Sequence, residues 1–185
     1  MAFDVRSSPA RAARAIWQAP VAIGLCALAV VAVGVRAELV GFLYLAVVTP
    51  QLCMADVRAH RLPNAIVLPG YAVTGVGVMF GWLRTGAVPS TALAACAATF
   101  GFLLLLGLGG GMGMGDVKLG GLLGLNLGAL GVVAAIAGPV LGFVAGGVAG
   151  LITLALPGTD TLRRIPFGPY LLFGFWSAST LPMLT

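Results

Sequence analysis

Residues 117–156 run for about 40 positions with a single charge, Lys118 near the start. One helix of that length, at about 1.5 Å per residue, would reach about 60 Å, twice the ~30 Å hydrocarbon core of a bilayer. The stretch therefore folds back and crosses twice. Two turn sites offer themselves, Asn126-Leu127-Gly128 and Gly138-Pro139, and the first would leave a short fifth helix and a long sixth.

The remainder of the chain has the same character. Its 185 residues hold 10 Lys or Arg, 5 Asp or Glu, one His and 28 Gly, and 60% are hydrophobic, whereas a water-soluble domain carries charge on roughly a quarter of its residues. Apolar runs at 16–35, 39–55, 66–82, 90–108 and 167–184 join the two passes of 117–156. The expected fold class is all-α, a polytopic integral membrane protein of about seven transmembrane helices. It is organised as a cytoplasmic tail, 1–15, and a single membrane-embedded domain, 16–185. Seven spans use about 140 residues, which leaves no room for a separate soluble domain. The first run is longer than a secretory h-region and more spans follow at once, so it reads as a retained helix.

Orientation follows from the basic residues. With the amino terminus inside, seven passes put Arg6, Arg11, Arg14, Arg58, Arg61, Lys118, Arg163 and Arg164 in the cytoplasm and only Arg36 and Arg84 outside, a strong positive-inside bias. The carboxyl terminus then lies outside. The net charge of +5 is spread singly or in pairs between apolar runs, so a bilayer is the expected partner and nucleic acid is not. Asp56 and Asp116 are separated by one out-and-back excursion and return to the same cytoplasmic boundary.

Several chemistries are excluded. Cys26, Cys53 and Cys96 lie in apolar stretches without a CxxC pair, so neither a disulfide framework nor a zinc site is expected. One His without HExxH argues against a zinc protease, and GxSxG is lacking. Gly110 to Gly115 has the spacing of a phosphate loop, but Asp116 stands where the Lys belongs and would repel phosphate. No metal and no cofactor is expected. Two glycine stripes, Gly120-Gly124-Gly128 and Gly142-Gly146-Gly150, recur every four residues and mark helix faces suited to close packing.

The remaining acids are Asp4, Glu38, Asp56, Asp116 and Asp160. Taken singly, Asp56 reads as a solvated helix end beside Arg58 or as a functional group, and Asp116 reads as the N-cap of a helix starting at Val117. Taken together, two facing carboxylates hold one proton between them, since like charges a few Å apart do not both ionise. One is then a base and the other an acid, the equipment of an aspartic protease. The glycines before Asp116 would let a substrate backbone approach it.

Three blocks of residues carry a family resemblance: Asp56 with Arg61-Leu62-Pro63-Asn64, then Gly113-Met114-Gly115-Asp116-Val117-Lys118-Leu119, then Ile165-Pro166-Phe167-Gly168-Pro169. Each falls at an expected cytoplasmic boundary. From about Leu39 to the carboxyl end the chain resembles the catalytic domain of type IV prepilin peptidases, GxGD aspartic proteases that include the archaeal preflagellin peptidases. The resemblance implies that Asp56 and Asp116 are the catalytic pair. It implies substrate-binding or positioning roles for Pro63, Asn64, Gly113, Gly115, Lys118, Pro166, Phe167, Gly168 and Pro169. On their own, Lys118 also reads as a snorkelling interfacial lysine, His60 as a solvated loop residue, and Pro166 to Pro169 as the start of the last helix.

The substrate implied is a pilin-like precursor, prepilin or Flp-type, cut on the cytoplasmic side between a basic leader and a hydrophobic helix. Bifunctional members also methylate the new amino terminus and carry a long insert with CxxC pairs. Here only residues 36–38 part the first two spans, so methyltransferase activity is not expected and the chain resembles the short forms. Two rivals stand beside this reading: a small ion-coupled transporter, which would place acids near the midplane, and a catalytically silent scaffold of a pilus or secretion system. Oligomeric state is not written in the sequence.

Overall fold

The computed structural model describes the backbone of residues 9–155 and 166–183, and the side chains of 18–155 and 166–182. Arg6, Asp160, Arg163 and Arg164 lie outside the described residues. Among those described, the chain is all-α: α1 (Pro9–Val33), α2 (Leu39–Ala59), α3 (Asn64–Thr85), α4 (Ser90–Leu108), α5 (Met114–Leu130), α6 (Val132–Ala155) and α7 (Gly168–Ser179), followed by a 3-10 turn, Leu181–Met183. Four of these helices, α2, α3, α4 and α6, are long and apolar enough to cross a membrane. The apolar part of α1, Gln18–Val33, is shorter, as are α5 and α7.

The short α5 is the centre of the bundle, buried at every residue from 119 to 128. Its glycine stripe serves the packing expected of it. A Cβ on Gly124 would lie 2.6 Å from the Ala95 carbonyl oxygen, and one on Gly128 would lie 2.7 Å from Ala92 Cα, so the α4 backbone runs directly against the stripe. In α6, Gly142 lies against Tyr170 and Leu171, and Gly146 against Phe167. The other face of α6 carries exposed Val133, Ile136, Val140, Val144, Val148 and Leu151, a continuous apolar stripe at helical spacing that suits lipid and not water.

Several expected boundaries move. α1 begins at Pro9, so Arg11 and Arg14 stand on a helix. Helix α2 continues through Asp56 to Ala59 and ends at His60, in the left-handed region at φ 49°, whose N–H donates to the Asp56 carbonyl at 2.8 Å. The polar loop thus shrinks to 60–63, and Asn64 opens α3. Asp116 is the third residue of α5 and not its N-cap, which is Gly113 in extended backbone.

The α5–α6 reversal falls at neither expected site. It is made by Gly131, whose φ of 132° is open to glycine alone. Asn126 stays helical because its buried amide donates to Thr74 Oγ1 and to the Leu122 carbonyl, both at 3.0 Å. Pro139 sits inside α6, as membrane helices tolerate when neighbours cover the freed carbonyl.

Candidate active site

The last turn of α2 delivers Asp56, 3% exposed, to one end of the bundle. Asp116 reaches the same end from the first turn of α5 and is 9% exposed. Gly115 makes the approach possible: a Cβ there would fall 3.0 Å from Leu62 Cβ and 3.2 Å from Leu62 N. Any side chain would push α5 away from the turn that follows Asp56. Gly113 is less confined, its notional Cβ lying 3.4 Å from Asp116 Oδ2.

Both carboxyl groups line one cleft of about 390 Å³, closed in by His60, Gly110, Gly111, Met112, Gly113, Gly146, Pro166 and Phe167. They are near enough for the charge on Asp56 to act on Asp116. Their surroundings differ. Asp56 Oδ2 accepts the backbone N–H of Gly168, the first residue of α7, at 2.7 Å. Asp116 Oδ1 is buried and has no hydrogen-bond partner. No cluster of three or more His, Cys, Asp or Glu able to hold a metal occurs among the described residues.

All three sequence blocks meet at this end, each in its own way. Pro166 and Phe167 line the cleft, and the Phe167 ring packs on Phe143 at 4.9 Å between centroids. Gly168 touches Asp56 directly, while Pro169 occupies the first turn of α7 without lining the cleft. Pro63 precedes α3 at φ −70°. Lys118 and Asn64 bind each other, Nζ to Oδ1 at 3.1 Å, and Tyr71 donates to the Lys118 carbonyl at 2.7 Å. Two residues beyond Asp116, Lys118 points to another side of α5 and lines an apolar groove with Tyr71 and Phe100 instead of the cleft. It ties α5 to the start of α3.

Gly146, on the α6 stripe, was not among the expected site residues, yet it makes room for the Phe167 ring, and Gly110, Gly111 and Met112 line the cleft as well. Gly168, which the resemblance implies, contributes through its backbone N–H. His60 is exposed as expected of a loop residue, yet it lines the cleft.

A helical bundle with membrane-length apolar helices and two buried acids from different helices in one open cleft defines a multi-pass membrane protein with a paired-carboxyl site. Residues 39–155 match the type IV leader peptidase family, and the chain belongs to that family. The matched stretch opens with α2, takes in both acids and ends before Pro166. No curated protein and no solved structure matches the chain.

Proposed function

We propose that this protein is a membrane-embedded aspartic endopeptidase that removes the basic leader from pilin-like precursors at the cytoplasmic face, with Asp56 and Asp116 as its catalytic pair. The observation that carries this reading is the convergence of two buried carboxyl groups, 60 residues apart in sequence, on one open cleft. Family membership supports it. In such a pair one acid takes a proton from water while the other polarises the scissile carbonyl. An ion-coupled transporter would need acids near mid-depth, whereas Asp56 lies in the last turn of α2 and Asp116 in the first turn of α5.

The test is direct. The purified chain in lipid vesicles, given a Flp-type precursor with a basic leader and an apolar helix, should release a product that begins at the leader–helix junction. Precursor left intact would sink the reading. The product should also keep the mass of a free amino terminus when a methyl donor is supplied, because only residues 34–38 join α1 to α2 and they offer no methyltransferase insert. A mass gain of one methyl group that depends on the enzyme would overturn that inference.

The cleft end belongs in the cytoplasm on this reading. Arg58, Arg61 and Lys118 cluster near it, while Glu38 packs against Gly81, beside Trp82 and Thr85, at the other end of α3, close to Arg36 and Arg84. Arg61→Cys and Arg84→Cys, each in a chain freed of its three native cysteines, should label with an impermeant thiol reagent from opposite sides. Labelling of position 61 only from outside would refute the orientation.

A further inference from the structure

Although Asp56 and Asp116 share a cleft and each carboxyl meets a backbone donor, Gly168 for Asp56 and Gly113 for Asp116, one Asp116 oxygen, Oδ1, stays buried without a partner. The Gly168 N–H points at Asp56 Oδ2 at 2.7 Å from the amino-terminal end of α7. We propose that the Gly168 backbone N–H is a positioning group that makes Asp56 the ionised, water-activating acid and leaves Asp116 to hold the proton and polarise the carbonyl. This rests on the peptidase reading above.

Three observations support the division. A charge on Asp56 is met by a charge-assisted hydrogen bond and by the positive end of the α7 dipole. A charge on Asp116 would leave Oδ1 buried without any donor, which is far more costly than burying a neutral carboxyl. Asp116 also lies in the first turn of α5, but its own N–H and that of Val117 go to the Gly113 carbonyl, and the Gly113 backbone group that does meet its carboxyl leaves Oδ1 without a donor. The diffuse helix dipole is weaker than a direct bond to the charged form. Among the described residues that line the cleft, the titratable side chains are Asp56, His60 and Asp116, and His60 follows Asp56 at the end of α2. Cys53 faces Asp56 from one turn back on the same helix and adds no positive charge. Neither α6 nor α7 brings a charged side chain to the cleft.

The chemistry then runs in a defined order. The Asp56 carboxylate takes a proton from water as the water oxygen bonds to the carbonyl carbon, and the carbonyl oxygen takes the proton of Asp116. The result is a neutral gem-diol, with Asp56 protonated and Asp116 ionised. Asp56 next gives its proton to the departing amide nitrogen while Asp116 recovers one from a diol hydroxyl, and the C–N bond breaks. A carboxylic acid and an amine leave, and both acids return to their starting states.

The experiment reads protonation without reference to turnover. The sequence has four Asp, at 4, 56, 116 and 160, so carboxyl-13C-Asp labelling of the full chain in micelles gives four side-chain signals, assignable through their neighbours. At neutral pH Asp56 should appear at the carboxylate position and Asp116 at the carboxyl position. Gly168→Pro, which removes the N–H, should merge or exchange the two states. Gly168→Ala keeps the N–H and should preserve them, although its Cβ would lie 2.9 Å from Asp56 Oδ2. The reverse assignment in the unmodified chain, two identical signals, or identical behaviour of the Ala and Pro variants would overturn the proposal. Precursor cleavage by the same unmodified sample separates the two readings: its absence refutes the peptidase, and the signals alone decide whether Asp56 carries the charge.

Discussion

Asp56→Asn and Asp116→Asn should each abolish precursor cleavage, by at least about 10⁴-fold or roughly 5.5 kcal/mol of transition-state stabilisation, while the protein still inserts and accumulates. Asn keeps the size of Asp and much of its hydrogen bonding but exchanges no proton near neutral pH. At position 56 the amide oxygen can still accept the Gly168 N–H, so the local fold should persist while the proposed base is removed. At position 116 a purely structural role predicts something far smaller. Asp116 is not the N-cap, which is Gly113; its carboxyl meets the Gly113 backbone N–H, a bond that an Asn oxygen can also accept, and an acid in the first turn contributes about 0.3–1 kcal/mol through the helix dipole. The measurement is the ratio of precursor to mature product at matched expression. Substantial cleavage by one variant would remove that residue from the mechanism, and cleavage by both would restore the transporter or scaffold.

The helices were legible in the sequence because glycines, prolines and isolated charges punctuate the apolar runs. Ser90–Leu108 emerged with both ends as expected. The errors lie where side-chain chemistry at the turns misleads. Asn126 is a turn former in water, yet in a bundle its amide finds Thr74 and the Leu122 carbonyl, and a buried amide so satisfied holds a helix instead of ending it. Gly131 does the turning, and among 28 glycines nothing in sequence marks it, with Gly34, Gly86 and Gly110, as one that takes positive φ.

The site was legible as far as it consists of side chains. Asp56 and Asp116 share an end of the bundle because an odd number of passes never separates them, and that parity is readable from span counting alone. What remained hidden is carried by the backbone. Gly115 also lets α5 approach the turn after α2, through its contact with Leu62, a role that the sequence does not announce. Lys118, two residues from Asp116, seemed a natural neighbour of the acid in sequence, and helix geometry turns it toward Asn64 instead.

The α6–α7 contact offers the sharpest test of how the site is held. A Cβ on Gly174 would collide with the Gly138 carbonyl oxygen and lie 2.5 Å from Gly142 N and 2.8 Å from Gly142 Cα. These are backbone atoms of α6, unable to swing aside as a side chain would. Gly147, on the exposed side of the same helix, has nothing within 4 Å of its notional Cβ. Leu improves helix propensity at either position by roughly 0.8–1 kcal/mol relative to Gly, so the two substitutions differ in packing alone. Gly174→Leu should cost about 3 kcal/mol or more by overpacking, which lowers the melting temperature in micelles by about 6–12 °C for a chain of this size. Gly147→Leu should leave it unchanged or raise it. Because α7 also presents Gly168 to Asp56, Gly174→Leu should depress cleavage even below its melting temperature, whereas Gly147→Leu should not. Equal stability and equal cleavage in the two variants would mean that α7 is not wedged against α6, and that the hold on Asp56 comes from elsewhere.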